Sequence, residues 1–174
     1  MIGFLRFVGL LNAAIWLGAA ISFTFALGPA FFSEEMKSVL RPPYNGFAAQ
    51  VVIQRYFLLL YCCGGIAILH LILEKLYSGK AVERLQIAGL GIAIFLGVLG
   101  GLWLQPKLRE LHLTKSHPRT SSEVRAQAER SFKTWHRVSQ TMNLIVIGGL
   151  LVYFWRVSNA GNPSRFVNTH KFRG

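Results

Sequence analysis

Phe132, His136, Ser139 and Asn143 follow one another at intervals of four, three and four residues, which on a helix places them in one stripe. An imidazole, a hydroxyl and a carboxamide in a row can bind an ion, a headgroup or a small polar ligand. They can equally hydrogen-bond to neighbouring helices and fix their register, and this clamp is the plainer reading. Glu34 and Glu35, together with Gln54, Arg55 and Tyr56, fall on the same side of the chain's topology derived below. The expected polar cluster is therefore His136, Ser139, Asn143, Arg55, Glu34 and Glu35. Asn12 reads as an interhelical hydrogen bond rather than a ligand contact.

Other chemistry is thinly supplied. Copper handling favours clustered Met, Cys and His, but Met1, Met36 and Met142 are dispersed and Cys62 and Cys63 are vicinal, so no metal site is assigned. Neighbours on a helix point about 100° apart, which excludes an unstrained disulfide between these two cysteines. A haem b or quinone-linked redox subunit is an alternative, with His70, His112 and His136 available. His70 falls at the opposite membrane face from His136, however, and His112 is expected at a different height. No cofactor is predicted. There is no Asp, no Walker or dinucleotide loop, no G-x-S-x-G and no H-E-x-x-H, so no catalytic residues are assigned and an enzyme is not expected.

The elements that must position these residues are four apolar runs: 7–32, 56–73, 85–104 and 138–155. Each has 18 or more residues, and about 20 residues of helix cross a hydrocarbon layer roughly 30 Å thick. A hydrophobic fraction of 52% concentrated in such blocks excludes an ordinary soluble domain. The first run, at 26 residues, is too long for a secretory signal core and is read as a retained span. The formal charge of +12 sits at run ends and in loops, where it meets anionic headgroups. Nucleic acid is not expected as a partner, since no basic-aromatic interleaving or zinc-finger spacing accompanies the charge.

Two rows of small residues recur at every fourth position: Ala14, Gly18, Ser22, Ala26 and Ala30 in span one, and Gly89, Ala93, Gly97 and Gly101 in span three. Such ridges let helices approach closely in lipid, where the hydrophobic effect does not drive association. They predict that spans one and three touch each other or a partner, either another membrane subunit or a second copy. Pro29 should kink or end span one, and Pro106 should mark the exit of span three.

Residues 105–137 then predict a charged helical hairpin protruding between spans three and four, with its tip near His117 and Pro118. Thr120-x-x-Glu123 reads as a capping box opening a long fourth helix. Residues 158–174 read as a basic, mobile tail. Four spans put both termini on one side, with eight Lys and Arg there against eleven opposite, a weak lean towards a cytoplasmic hairpin. Trp16, Trp103, Trp135 and Trp155 read as interface aromatics and do not discriminate between the faces.

Trp16-Leu17-Gly18, Gly28-Pro29-Ala30-Phe31-Phe32, Pro106, and the His-Arg-x-Ser then Asn-Leu pattern within 132–144 resemble a known four-span family. This is domain of unknown function 4149, which is transmembrane protein 205-like and akin to copper-resistance D membrane domains. The resemblance covers most of 7–155. It implies an all-helical integral membrane protein without an established enzymatic activity, some members being associated with metal or drug tolerance. The resulting expectation is an all-α, up-down-up-down, multi-pass bundle acting as an accessory, scaffold or transport-associated component. Metal-ion tolerance or transport is the further alternative.

Overall fold

A computed structural model describes residues 2–79 and 83–159. The loop centre at 80–82 and the tail from 160 onward lie outside the described residues. Span one is α1 (Ile2–Ser22), a π turn (Phe23–Leu27) and α2 (Gly28–Ala30), followed by the short α3 (Glu34–Val39). Span two is α4 (Tyr44–Ser78). Span three is α5 (Arg84–Leu99), a second π turn (Gly100–Leu104) and α6 (Gln105–Ser116); span four is the single helix α7 (Ser122–Asn159). Four helices are long and apolar enough to cross a membrane, at Gly3–Ala30, Tyr44–Tyr77, Arg84–Ser116 and Ser122–Asn159. The shortest has 28 residues, about 42 Å of helix, so each is longer than a hydrocarbon layer of roughly 30 Å.

The helices run up-down-up-down, with span one packed on spans two and four, and span three packed on the same two. Spans one and three therefore lie on a diagonal, without packing on each other as neighbouring spans do, so of the two expectations for the ridge of span one, contact with span three or with a partner, the first is not met. The reason is visible along α1. Its buried face is Asn12, Ala13, Trp16, Leu17 and Ala20, whereas Ala14, Gly18, Ser22, Ala26 and Ala30 are all exposed. A four-residue period fixes that small residues share a face; it does not say which face is buried. Trp16 is fully buried, not an interface residue, because Gly64 on α4 leaves room for its ring.

The ridge of span three does face inward. At Gly89 a Cβ would lie 2.9 Å from the Gly149 carbonyl oxygen, so α5 and α7 cross at backbone contact. Leu60 fills the space beside Gly97, and Phe57 and Tyr61 that beside Gly101, so the other end of the ridge receives α4. Near the start of span three, Glu83 pairs with Arg156 of span four.

Both π turns precede a proline by one residue. Pro29 and Pro106 have no N–H, and their rings press on the carbonyl four residues earlier, which a regular α-helix cannot relieve. In each case the chain widens by one residue: the Gly28 N–H bonds to the Phe23 carbonyl, and the Gln105 N–H to the Gly100 carbonyl. At Pro106 the helix runs on as α6, the first arm of the expected helical hairpin. Thr120 also departs from the expected capping box. Its hydroxyl donates to the Thr114 carbonyl (3.0 Å), closing the turn between α6 and α7, and α7 begins at Ser122.

Candidate functional site: a polar-rimmed cavity between the four spans

A cavity of about 700 Å³ opens between the spans at the level of the two π turns. Phe23, Thr24 and Phe25 of the first turn and Gly100 and Leu104 of the second form part of its wall. Because a π turn displaces the backbone from the α path, it creates width that a straight four-helix crossing lacks. The remaining wall is mainly apolar, from α4 (Ala49, Ile53, Phe57, Leu60) and α7 (Met142, Leu144, Val146).

Below the rim, a relay of side chains joins three spans. The Tyr56 hydroxyl of α4 donates to Asn143 Oδ1 (3.0 Å), Asn143 Nδ2 of α7 donates to Thr24 Oγ1, and Thr24 donates to the Ala20 carbonyl (2.6 Å). Tyr56 is further held by stacking on Phe23, with ring centroids 4.3 Å apart. Polar groups are costly at this depth unless paired, and the relay satisfies them inside the bundle.

The rim carries His136, Ser139 and Gln140 on α7, facing Gln105, Arg109 and His112 on α6. His136 stacks on Phe132 (5.8 Å) and meets Phe32 edge-on (6.4 Å). His112 also packs against Phe132, at 6.0 Å, and against Phe47 at 5.2 Å. The two histidines therefore pack against a common ring. His112 sits so close to α4 that only glycine fits at position 46, and it is 6% exposed. Its Nε2, and Nε2 of Gln105, are buried without a hydrogen-bond partner.

The structure thus brings His136, Ser139 and Asn143 to one cavity and leaves the other three expected residues outside it. Arg55 is exposed on the outer side of α4, one residue and about 100° away from the buried Tyr56. Glu34 is exposed and pairs with Lys37 of its own short helix (2.6 Å). Glu35 is exposed in the first turn of α3, its carboxyl held below the usual carboxylate range by its own backbone N–H and the Ser33 hydroxyl. Both carboxylates serve the start of α3, where Ser33 accepts from the Met36 N–H (3.2 Å).

Gln105, Arg109 and His112 were not singled out as a set, although their spacing of four and three is the same signal that marks His136, Ser139 and Asn143. Gln50 and Thr24 also line the cavity and carry no comparable pattern. Asn12 donates to the Cys63 carbonyl of α4 (3.0 Å) in the far half of the bundle. There His70, 3% exposed, lies against Gly9 of α1. Among the described residues, no three His, Cys, Asp or Glu side chains come together as a metal-binding set.

Fold and site together define an all-helical, four-span membrane protein with an internal cavity at one end of the bundle. The chain belongs to the family described as domain of unknown function 4149, whose model matches residues 11–117, spans one to three and the start of the hairpin turn. Neither a curated protein nor a solved structure matches the chain.

Proposed function

We propose that this protein is an accessory or transport-associated membrane component that holds an amphiphilic molecule of the bilayer in the cavity between its spans. The observation that carries this reading is the cavity itself: about 700 Å³, apolar over most of its wall, with polar side chains gathered at one rim. Small-molecule sites commonly have volumes of about 300–1,000 Å³ and this distribution of groups. The relay through Asn143 ties three of the spans together beside the cavity, which fixes the positions of its walls.

The test is photolabelling in reconstituted bilayers with an alkyl-diazirine amphiphile, followed by mapping of the labelled peptides. Saturable labelling concentrated in 23–32, 49–60 and 132–146 is expected, and Ser139→Phe, which fills the cavity, should reduce it about tenfold. Label spread evenly over the outer faces of the helices would overturn the reading.

A second reading, association with another membrane subunit or a second copy, is favoured by the outward ridge of span one. A Cβ at Gly18 would meet nothing within 4 Å, so this face is open to a partner helix. Its test is the substitution pair argued in the Discussion.

A further inference from the structure

We infer that the cavity selects a single-chain amphiphile with an oxyanion head, a carboxylate or a phosphate, seated between α6 and α7 with its chain among the phenylalanines below. This inference rests on the ligand-holding role proposed above and adds the chemistry of the ligand.

The head is identified by what the rim offers. Among the described residues that line the cavity, Arg109 is the one charged side chain, and no carboxylate accompanies it. One turn before it on α6 is Gln105, and one turn after it is His112. Each has a buried Nε2 with no partner in the protein, and His112 is more than nine-tenths buried. The Gln105 amide N–H and the Arg109 guanidinium on this stripe are donors in search of an acceptor, and His112, whose Nδ1–H faces the Pro43 carbonyl, adds a third donor at Nε2 in its imidazolium form, which a bound anion favours. Unpaired polar atoms in a buried site are costly, and an acceptor-rich head satisfies them together. Arginine in particular matches the geometry of carboxylate and phosphate oxygens with paired N–H groups. The surroundings act in the same direction: the hairpin 105–137 carries eight Lys and Arg against three Glu, so its field draws anions towards the rim.

The tail is identified by volume and wall. About 700 Å³ is the size of a site for one small molecule, which favours one chain over a two-chain phospholipid. Phe23, Phe25, Phe31, Phe32, Phe57 and Phe132 line it, six of the 13 phenylalanines in the chain. Aromatic side chains supply large apolar contact at low entropic cost, which suits a wall for an alkyl chain.

Three diazirine probes with the same hexadecyl chain, differing only in a carboxylate, phosphate or neutral alcohol head, separate the claims. In the full-length protein in neutral-lipid nanodiscs, cavity labelling should reach half-saturation at least tenfold lower for either anion than for the alcohol. Arg109→Gln, at an exposed rim position, should shrink that advantage to about threefold or less. Gln105→Leu should act in the same direction. If alcohol and anions label the cavity equally in the unsubstituted protein, the headgroup inference fails and the cavity reading stands. If none of the three labels the cavity saturably, the proposed function itself fails.

Discussion

Gly89 of α5 and Gly149 of α7 meet backbone to backbone: a Cβ on Gly89 would lie 2.9 Å from the Gly149 carbonyl oxygen, and one on Gly149 would lie 2.8 Å from that of Gly89. Two helices cross here with no side chain between them. This crossing holds spans three and four together at the end remote from the cavity, and Trp103 against Trp135 (5.3 Å) joins them again beside it.

Alanine is the better helix former by about 1 kcal/mol, so in an open position a Gly→Ala change should stabilise. At Gly89 the opposing atom is backbone and cannot rotate away, and overpacking typically costs about 1–3 kcal/mol. Packing should outweigh propensity. Gly89→Ala is expected to lower the melting temperature in detergent. Gly91→Ala, where a Cβ meets nothing within 4 Å, should leave it unchanged or raise it. Equal responses at the two positions would argue against the crossing.

Gly97 and Gly18 look alike in the sequence and should behave oppositely. Leu60 already occupies the space into which a side chain at Gly97 would grow, so Gly97→Leu should reduce yield and thermal stability. Gly18→Leu, on the open ridge of span one, should fold normally. If that ridge receives a partner helix, the same substitution should reduce crosslinked oligomer or co-purified subunit several-fold. Unchanged stability in Gly97→Leu, or loss of folding in Gly18→Leu, would reverse the assignment of inner and outer faces.

Asn143→Leu removes both hydrogen bonds that tie span four to spans one and two. Interhelical bonds in membranes contribute about 0.6–2 kcal/mol each, so a loss of about 1–4 kcal/mol is expected in reversible denaturation. Tyr56→Phe removes one bond and keeps the stacking on Phe23, and should cost less than half as much. A double-mutant cycle between positions 24 and 143 should show coupling, since Thr24 and Asn143 bond directly. Additive effects would mean that the relay does not act as a unit.

Pro29→Ala and Pro106→Ala restore the missing N–H and allow a regular α-helix through each π turn. Both should narrow the cavity and weaken amphiphile labelling about fivefold, while thermal stability holds or rises. Labelling at the unsubstituted level in both variants would detach the π turns from the cavity.

How much of this was legible before the fold was known differs from one residue to the next. The four spans were, because length and apolar composition report directly on what can cross a membrane. The convergence of His136, Ser139 and Asn143 followed from helical period alone. Arg55, Glu34 and Glu35 were placed on the correct side of the topology, but their distance from the cavity depends on helix rotation and on the local fold of α3, which no spacing encodes. The outward turn of the Ala14–Gly18–Ser22 ridge was hidden for the same reason: Trp16 becomes a core residue only because Gly64 on another helix makes room. The prolines were visible as irregularities, whereas the π turns before them were not. A one-residue shift in hydrogen bonding leaves no trace in composition, although residues of both turns line the cavity.

Native mass spectrometry of the protein released from lipid nanodiscs tests the central claim most directly. The account predicts a retained one-to-one adduct with the mass of a single-chain amphiphile, which disappears in Ser139→Phe while the protein stays folded. Release of the bare chain from the unsubstituted protein, or an adduct indifferent to Ser139→Phe, would contradict it.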